Sequence, residues 1–242
     1  MQAPIRVTLW NERRQDRTQA NVVSVYPKGM NAAIADGLAE IGGFDVTCAE
    51  LDDPEQGCSE ETLAKTDVLF WWAHCAHGDV MEETVQRVHH HVMEGMGLVV
   101  LHSGHFSKVF KRVLGTTGSL KWREDGQGER LWTVTPSHPI AMGIPEHFEL
   151  EHEEMYGEPF DIPSPETIVF IGWFPAGEVF RAGCTWQRGN GRVFYFQPGH
   201  ETHPIYFHPV VRRILANAAR WCAPRIRKPM ECPHFPALPA IQ

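Results

Sequence analysis

The sequence predicts an α/β fold, a doubly wound and mainly parallel sheet with antiparallel additions in its second half. Three observations predict it. Short apolar runs of strand length alternate with helix-period segments through the first half. One of them, Asp67-Val68-Leu69-Phe70-Trp71-Trp72, is continuously apolar, as a central strand covered on both faces must be. The second half breaks into short strands divided by Pro and Gly.

The elements follow in order. Ile5 to Trp10 forms the first strand, ending at Asn11-Glu12, and a polar loop follows. After Tyr26-Pro27-Lys28-Gly29-Met30, the residues Ile34, Leu38 and Ile41 recur at helical spacing until Gly42-Gly43 stops the helix. Phe44 to Leu51 alternates as a second strand. Ser59 is a candidate N-cap, with Glu60 and Glu61 in the first turn of a short helix. After the central strand, a helix from about Asp79 to Glu94 places Met81, Val85, Val88, Val92 and Met96 on one stripe. Gly97 to Leu101 is the fourth strand, followed by a helix around Phe106 to Leu114. Strands are then expected at Trp132–Thr135, Phe148–His152, Thr167–Trp173, Val179–Thr185 and Arg192–Phe196. The last helix is expected from Pro204 to Trp221, with Phe207, Val211, Ile214, Leu215 and Ala218 inward. Residues 1–223 read as one domain. Residues 224–242 hold five prolines and no periodicity, and read as an extended tail packed over the surface or onto a partner subunit.

Composition narrows the function. The 242 residues are 43% hydrophobic, enough for a large core without disulfides. The net charge of −8, with both signs interspersed, argues against a nucleic-acid surface. None of the six cysteines forms a C-x-x-C pair, so they read as reduced and mostly packed thiols. No basic and apolar leader and no span-length apolar run is present, so a cytoplasmic protein without a membrane segment is expected.

Histidines cluster where strands end. Trp71-Trp72-Ala73-His74-Cys75-Ala76-His77, Leu101-His102-Ser103-Gly104-His105 and Pro198-Gly199-His200-Glu201-Thr202-His203 each follow a strand-like run. Ligands of α/β proteins bind at the carboxyl ends of strands, and histidine is both the commonest metal ligand and the acid/base suited to neutral pH. Three such segments predict one histidine-lined pocket. His102-Ser103 sits at a strand-to-helix turn, but the G-x-S-x-G signature of a nucleophile elbow is absent. His200 can serve as base or ligand, with Glu201 orienting it or merely stabilising a helix start. Cys75 lacks elbow glycines and reads as a packed thiol. In Glu151-His152-Glu153-Glu154-Met155-Tyr156, strand alternation separates Glu151, Glu153 and Met155 from His152, Glu154 and Tyr156. His89-His90-His91 reads as a solvated helix face, and His138-Pro139 and His208-Pro209 as turn chemistry.

These segments, with Trp10-Asn11-Glu12, Tyr26-Pro27-x-Gly29, Glu154-Met155-Tyr156-Gly157-Glu158 and Phe194-Tyr195-Phe196-x-Pro198-Gly199-His200-Glu201, resemble the ThuA-like (trehalose utilisation) proteins from about residue 4 to residue 223. The family is similar in fold to the class I glutamine amidotransferases, a flavodoxin-like doubly wound sheet. Those relatives carry a Cys nucleophile at the elbow after a central strand. Here the elbow matches His102-Ser103 and the relatives' histidine matches His200, so glutamine hydrolysis is not expected. The resemblance implies a role in the catabolism of trehalose or related disaccharides through 3-keto sugars.

The leading expectation is therefore an enzyme, a hydrolase, lyase or isomerase, acting on a small-molecule carbohydrate. Catalysis is assigned to His102, His200, Glu154 and Ser103. A divalent metal, zinc by preference, is assigned to His102, His105, Glu153 and His200. Substrate contacts are assigned to Trp10, Glu12, His74, His77, Tyr156 and Glu201, with one of Trp71 and Trp72 at most facing the ligand. The runner-up is a non-catalytic sugar-binding or regulatory module on an amidotransferase scaffold, and a Ser103–His200 hydrolase stands third. A homo-oligomer is expected from the tail.

Overall fold

The computed structural model describes residues 3–229 and 231–240. The first half runs β1 (Ile5–Asn11), α1 (Gln15–Thr18), α2 (Ala20–Val25), α3 (Met30–Ile41), β2 (Phe44–Glu50), α4 (Glu60–Ala64), β3 (Val68–Trp72), α5 (Glu82–Glu94), β4 (Gly97–Leu101) and α6 (Lys108–Leu114). The second half runs β5 (Lys121–Arg123), β6 (Glu129–Thr133), β7 (His147–Leu150), β8 (Met155–Gly157), β9 (Thr167–Trp173), β10 (Val179–Arg188), β11 (Gly191–Phe196) and α7 (Pro209–Cys222).

Among the described residues nine strands form one sheet in the order β2-β1-β3-β4-β11-β10-β9-β6-β7. The first five run parallel, and β10, β9, β6 and β7 extend the sheet antiparallel. Every residue of β3 and β4 is buried, as their unbroken apolar runs require. Trp10 and Trp71 are register partners on adjacent parallel strands, and their rings stack at 3.7 Å inside the core. A separate ribbon pairs β5 with β8. No helix of the described residues is long and apolar enough to cross a membrane.

Several boundaries differ from expectation for local reasons. The loop after β1 contains α1 and α2, whose only buried apolar residue is Val22, too little for a periodic signal. Helix α3 starts at Met30, behind Gly29 at φ 88°. Met81 precedes α5 and is exposed, and Met96 is buried but lies beyond the helix end. Ser107 caps α6 by accepting from the Phe110 N–H, so residues 102–106 form a separate 3-10 turn. Helix α7 begins at Pro209, after a cap by His208, and this leaves Phe207 exposed instead of inward. The expected strand at 132–135 is instead β6 at 129–133, and β7 stops at Leu150. His91 is buried against Glu60 and Arg227, unlike a solvated face. Three of the six cysteines, Cys48, Cys75 and Cys232, are exposed. In the tail, Arg227 donates to the carbonyls of Thr66 and Leu63, whereas residues 231–240 are exposed throughout.

Candidate functional site

The parallel strands β1, β3, β4 and β11 end on one edge, and four chain segments leave them there. The loop after β3 is held by the end of β1. Glu12, fully buried, accepts the N–H groups of His74, Cys75 and Ala76 at 2.9, 2.8 and 3.0 Å, and the Cys75 thiol at 3.0 Å. Glu12 is therefore a backbone clamp that sets the height of His74. It also pushes the Cys75 thiol up to about 12, second to desolvation, so this cysteine is no thiolate nucleophile. His74 Nδ1 meets Gln15 Oε1 at 2.9 Å, and Gln15 Nε2 donates to Glu201 Oε1 at 2.6 Å. The His74 Nδ1–H therefore faces the amide oxygen, and Nε2 is left as a lone-pair donor.

At the end of β4 the chain turns sharply. His102 adopts φ 49°, the left-handed region, at the position of a nucleophile elbow. Its side chain is fully buried, with Nδ1 2.9 Å from the Gln197 carbonyl and Nε2 3.2 Å from Glu154 Oε2. Tyr156 stacks on its ring at 5.1 Å. Burial opposes the charge on His102, but Glu154, Glu153 and Glu201 outweigh it and raise the imidazole to about 9. Glu154 is correspondingly lowered to about 2, its own burial being overcome by His102. Ser103 donates its hydroxyl to the Ala73 carbonyl at 2.8 Å, so the elbow holds no activated serine.

After β11, Gly199 takes φ 146° and passes against Tyr206, where a Cβ would lie 2.2 Å from the phenol oxygen. This turn brings His200 in. Its ring stands 5.4 Å from that of His102, edge to face, and 5.9 Å from that of His74. Desolvation and then the His102 charge lower His200 to about 3, so it is neutral. Its Nδ1 is 2.8 Å from the Thr202 hydroxyl. The site thus combines an imidazolium and a neutral imidazole a few ångströms apart, the pattern that separates an acid from a base.

The acidic stretch departs from alternation. The chain bends after Leu150, and Glu153 and Glu154 are both buried. Glu153 turns back to accept the N–H groups of Gly199 at 2.8 Å and His200 at 3.2 Å, as well as that of Glu154 at 2.9 Å. Its oxygens are taken up by backbone, which removes it from the expected metal set. His105 is pinned through Nδ1 to the Gly118 carbonyl at 2.6 Å and is lowered by burial to about 3. The donor atoms that lie within 4.8 Å of one another belong instead to His74, Glu154 and His200, and to His102, His200 and Glu201. The first trio fits a cation better. It offers two imidazoles whose Nδ1 atoms are engaged elsewhere and a buried Glu154 carboxylate that His102 holds ionised.

His74, Glu154 and His200 floor a pocket of about 410 Å³ lined also by His77, Ser103, His105, Phe106, Leu120, Trp122, Glu124 and Tyr156. His102, expected to be catalytic, lies instead behind the floor with both ring nitrogens committed to Gln197 and Glu154. Of the residues expected to touch substrate, His74, His77 and Tyr156 line it. Trp10 does not: it is stacked in the core and donates to the Gln56 carbonyl at 2.8 Å. Trp71 and Trp72 are likewise buried away from it, Trp72 donating to the Gly199 carbonyl at 3.1 Å. Glu12 and Glu201 act one layer behind. Sequence reasoning missed Gln15 and the 119–124 segment, since a polar loop and a three-residue strand carry no periodic signal.

The fold is a glutamine amidotransferase-like α/β fold. A glutamine amidotransferase from Thermotoga maritima superposes with a TM-score of 0.52 at 14% identity, over 83% of this chain and 77% of that one. Among closer structures, a ThuA-like protein from Parabacteroides merdae aligns over 95% of both chains, with a TM-score of 0.67 and 18% identity. A protein of Salmonella typhimurium described as cytoplasmic gives 0.62 at 13% identity, over 90% of this chain and 99% of its own. No curated protein matches the sequence. The sequence profile of the ThuA family, described as trehalose utilisation, matches residues 6–222, and the chain belongs to that family.

Proposed function

We propose that the protein is a cytoplasmic enzyme of disaccharide catabolism acting on an oxidised sugar such as a 3-keto derivative of trehalose. The observation that carries this reading is the meeting of His74, His200 and Glu154 at one pocket floor with His102 packed behind them, His102 raised to about 9 and His200 lowered to about 3. Neutral His200 accepts a proton from a hydroxyl or an acidic C–H, and the His102 imidazolium behind the floor holds Glu154 ionised. Tyr156 holds the His102 ring flat. A divalent cation, zinc by the donor set, is proposed on His74, Glu154 and His200 in place of the ligands expected from sequence, and with it bound His200 would serve as ligand and not as base. Bound there it would polarise a carbonyl or acidify water.

The test is metal analysis together with turnover of 3-keto-trehalose, on the wild type and on a His74→Ala, His200→Ala double variant. Stoichiometric metal and turnover in the wild type, both lost in the variant, support the proposal. Turnover by a metal-free wild type rejects the cation and leaves the histidine pair. No turnover alongside tight sugar binding favours a non-catalytic sugar-binding module, the reading supported by an elbow without Cys and with its Ser103 hydroxyl committed to backbone.

A further inference from the structure

Trp122 is the largest apolar side chain left without cover beside the site. It is 66% exposed, whereas Trp10, Trp71, Trp72 and Trp186 are buried. It lies on β5 directly opposite Tyr156 of β8, and opposite residues of an antiparallel pair point to the same face. One face of the ribbon therefore presents two aromatic rings at two depths. Tyr156 lies at the floor against His102, and Trp122 stands at the mouth. The neighbouring Arg123 is drawn elsewhere by Asp125 and by Glu178 at 2.7 Å. Phe106, also at the mouth, carries the Lys111 ammonium over its ring at 3.2 Å, which occupies one of its faces.

The charge of the lining is one-sided. Glu124 and Glu154 contribute carboxylates, and among the described residues no Lys or Arg lines the pocket. A phosphate or carboxylate on the ligand would meet these acids in the lining, while the Lys111 ammonium at the mouth is held over the Phe106 ring.

We propose that the mouth is a second sugar subsite with Trp122 as its platform, taking the uncharged second ring of a disaccharide whose first ring sits on the histidine floor. This rests on the sugar reading of the site given above. An indole presents a broad apolar face at little cost in conformational entropy, and a pyranose has an apolar C–H face to lay against it. Trp122 is on this view a specificity-determining residue that holds the second ring and takes no part in the proton transfers.

The experiment is calorimetric titration of the wild type, Trp122→Ala and Trp122→Phe. The probes are trehalose and glucose, each also as its 3-keto derivative, and trehalose 6-phosphate. The position is exposed and outside the core, and circular dichroism of each variant checks that the fold is kept. The wild type is expected to bind the disaccharides at least about tenfold tighter than the monosaccharides. Trp122→Ala should weaken disaccharide binding about tenfold, leave monosaccharide binding within about twofold, and Trp122→Phe should recover most of the loss. Protection of tryptophan fluorescence from iodide by disaccharide, absent in Trp122→Ala, is a second readout. The 6-phosphate should bind more weakly than trehalose. Disaccharide binding unchanged in Trp122→Ala, or equal losses for both sugar sizes, overturns the subsite while leaving the sugar reading intact. A wild type that binds none of the sugars overturns both.

Discussion

His102 carries two costs at one position. A left-handed backbone at a non-glycine residue costs about 1 kcal/mol or more, and its imidazolium is fully buried. Both are accepted where a buried cation must hold Glu154 ionised behind the floor of a pocket. His102→Asn keeps a residue tolerant of that backbone and removes the charge that holds Glu154 ionised, so kcat on a 3-keto disaccharide should fall about 10–100-fold. It also strips Glu154 of its cation, which should destabilise by roughly 3 kcal/mol. Adding Glu154→Gln should restore stability without restoring activity, a pair of outcomes that denaturant titration and turnover separate. Glu129 is a second residue out of place, buried with both carboxyl oxygens unpartnered. Burial and then Glu153 push its carboxyl well above the ordinary range, so the native state holds it protonated. The sign follows: its contribution is full below the unfolded pKa of about 4.3 and is lost as pH rises toward the folded value. Glu129→Gln should flatten this decline and make the variant more stable than the wild type at pH 8 by roughly 1–3 kcal/mol. Chemical denaturation at pH 5 and pH 8 gives the comparison, and an equal gap at both sinks it. Glu129 was not legible in the sequence, and Glu153 was singled out there but as a metal ligand, because alternation treats every acid near a strand as inward or outward. It does not foresee a carboxylate bent back onto backbone N–H groups.

At the scale of elements, the legible parts were those with a strong period. Strands β3, β4, β9 and β11 are apolar runs bounded by turns, and α5 and α7 carry long stripes, so their places followed from residue type alone. That strand ends bring His74, His102 and His200 together was equally legible, since a parallel sheet puts its carboxyl ends on one edge. The ribbon β5–β8 was not. Three residues, two of them charged, give no alternation, and their strand state depends on a partner more than thirty residues on. The loop after β3 was visible as a histidine segment, but its support from β1 was not. Glu12→Ala leaves three N–H groups without their acceptor and should cost roughly 2–4 kcal/mol. It should also weaken any metal held through His74 by about 10–100-fold, as second-layer losses do. A stability change with unaltered metal affinity would show that the loop keeps its shape by other means.

For the molecule as a whole, the tail raises the question of its partner. Its first part belongs to the fold, since Arg227 bonds to the Thr66 and Leu63 carbonyls and the Lys228 N–H to the Glu94 carbonyl at 3.0 Å. Beyond it, residues 231–240 are exposed, with Phe235 at 72% and Leu238 at 77%. Prolines at 233, 236 and 239 favour an extended chain that loses little entropy on docking. Anchored at one end and apolar beyond, this segment is suited to lie on a second copy of the chain, the homo-oligomer we propose. Removing residues 231–242 should then abolish association in sedimentation equilibrium. At low concentration it should leave the unfolding midpoint of the separated protomer unchanged, because the described part of that segment contributes no contact to the protomer's own core. A full-length chain that sediments as a monomer at high concentration would reject the second copy. A shortened chain that still associates would place the interface elsewhere. A midpoint lowered by the truncation at low concentration would mean that the tail folds back onto its own protomer in solution, and the exposed Phe235 and Leu238 would then have a partner within the same chain.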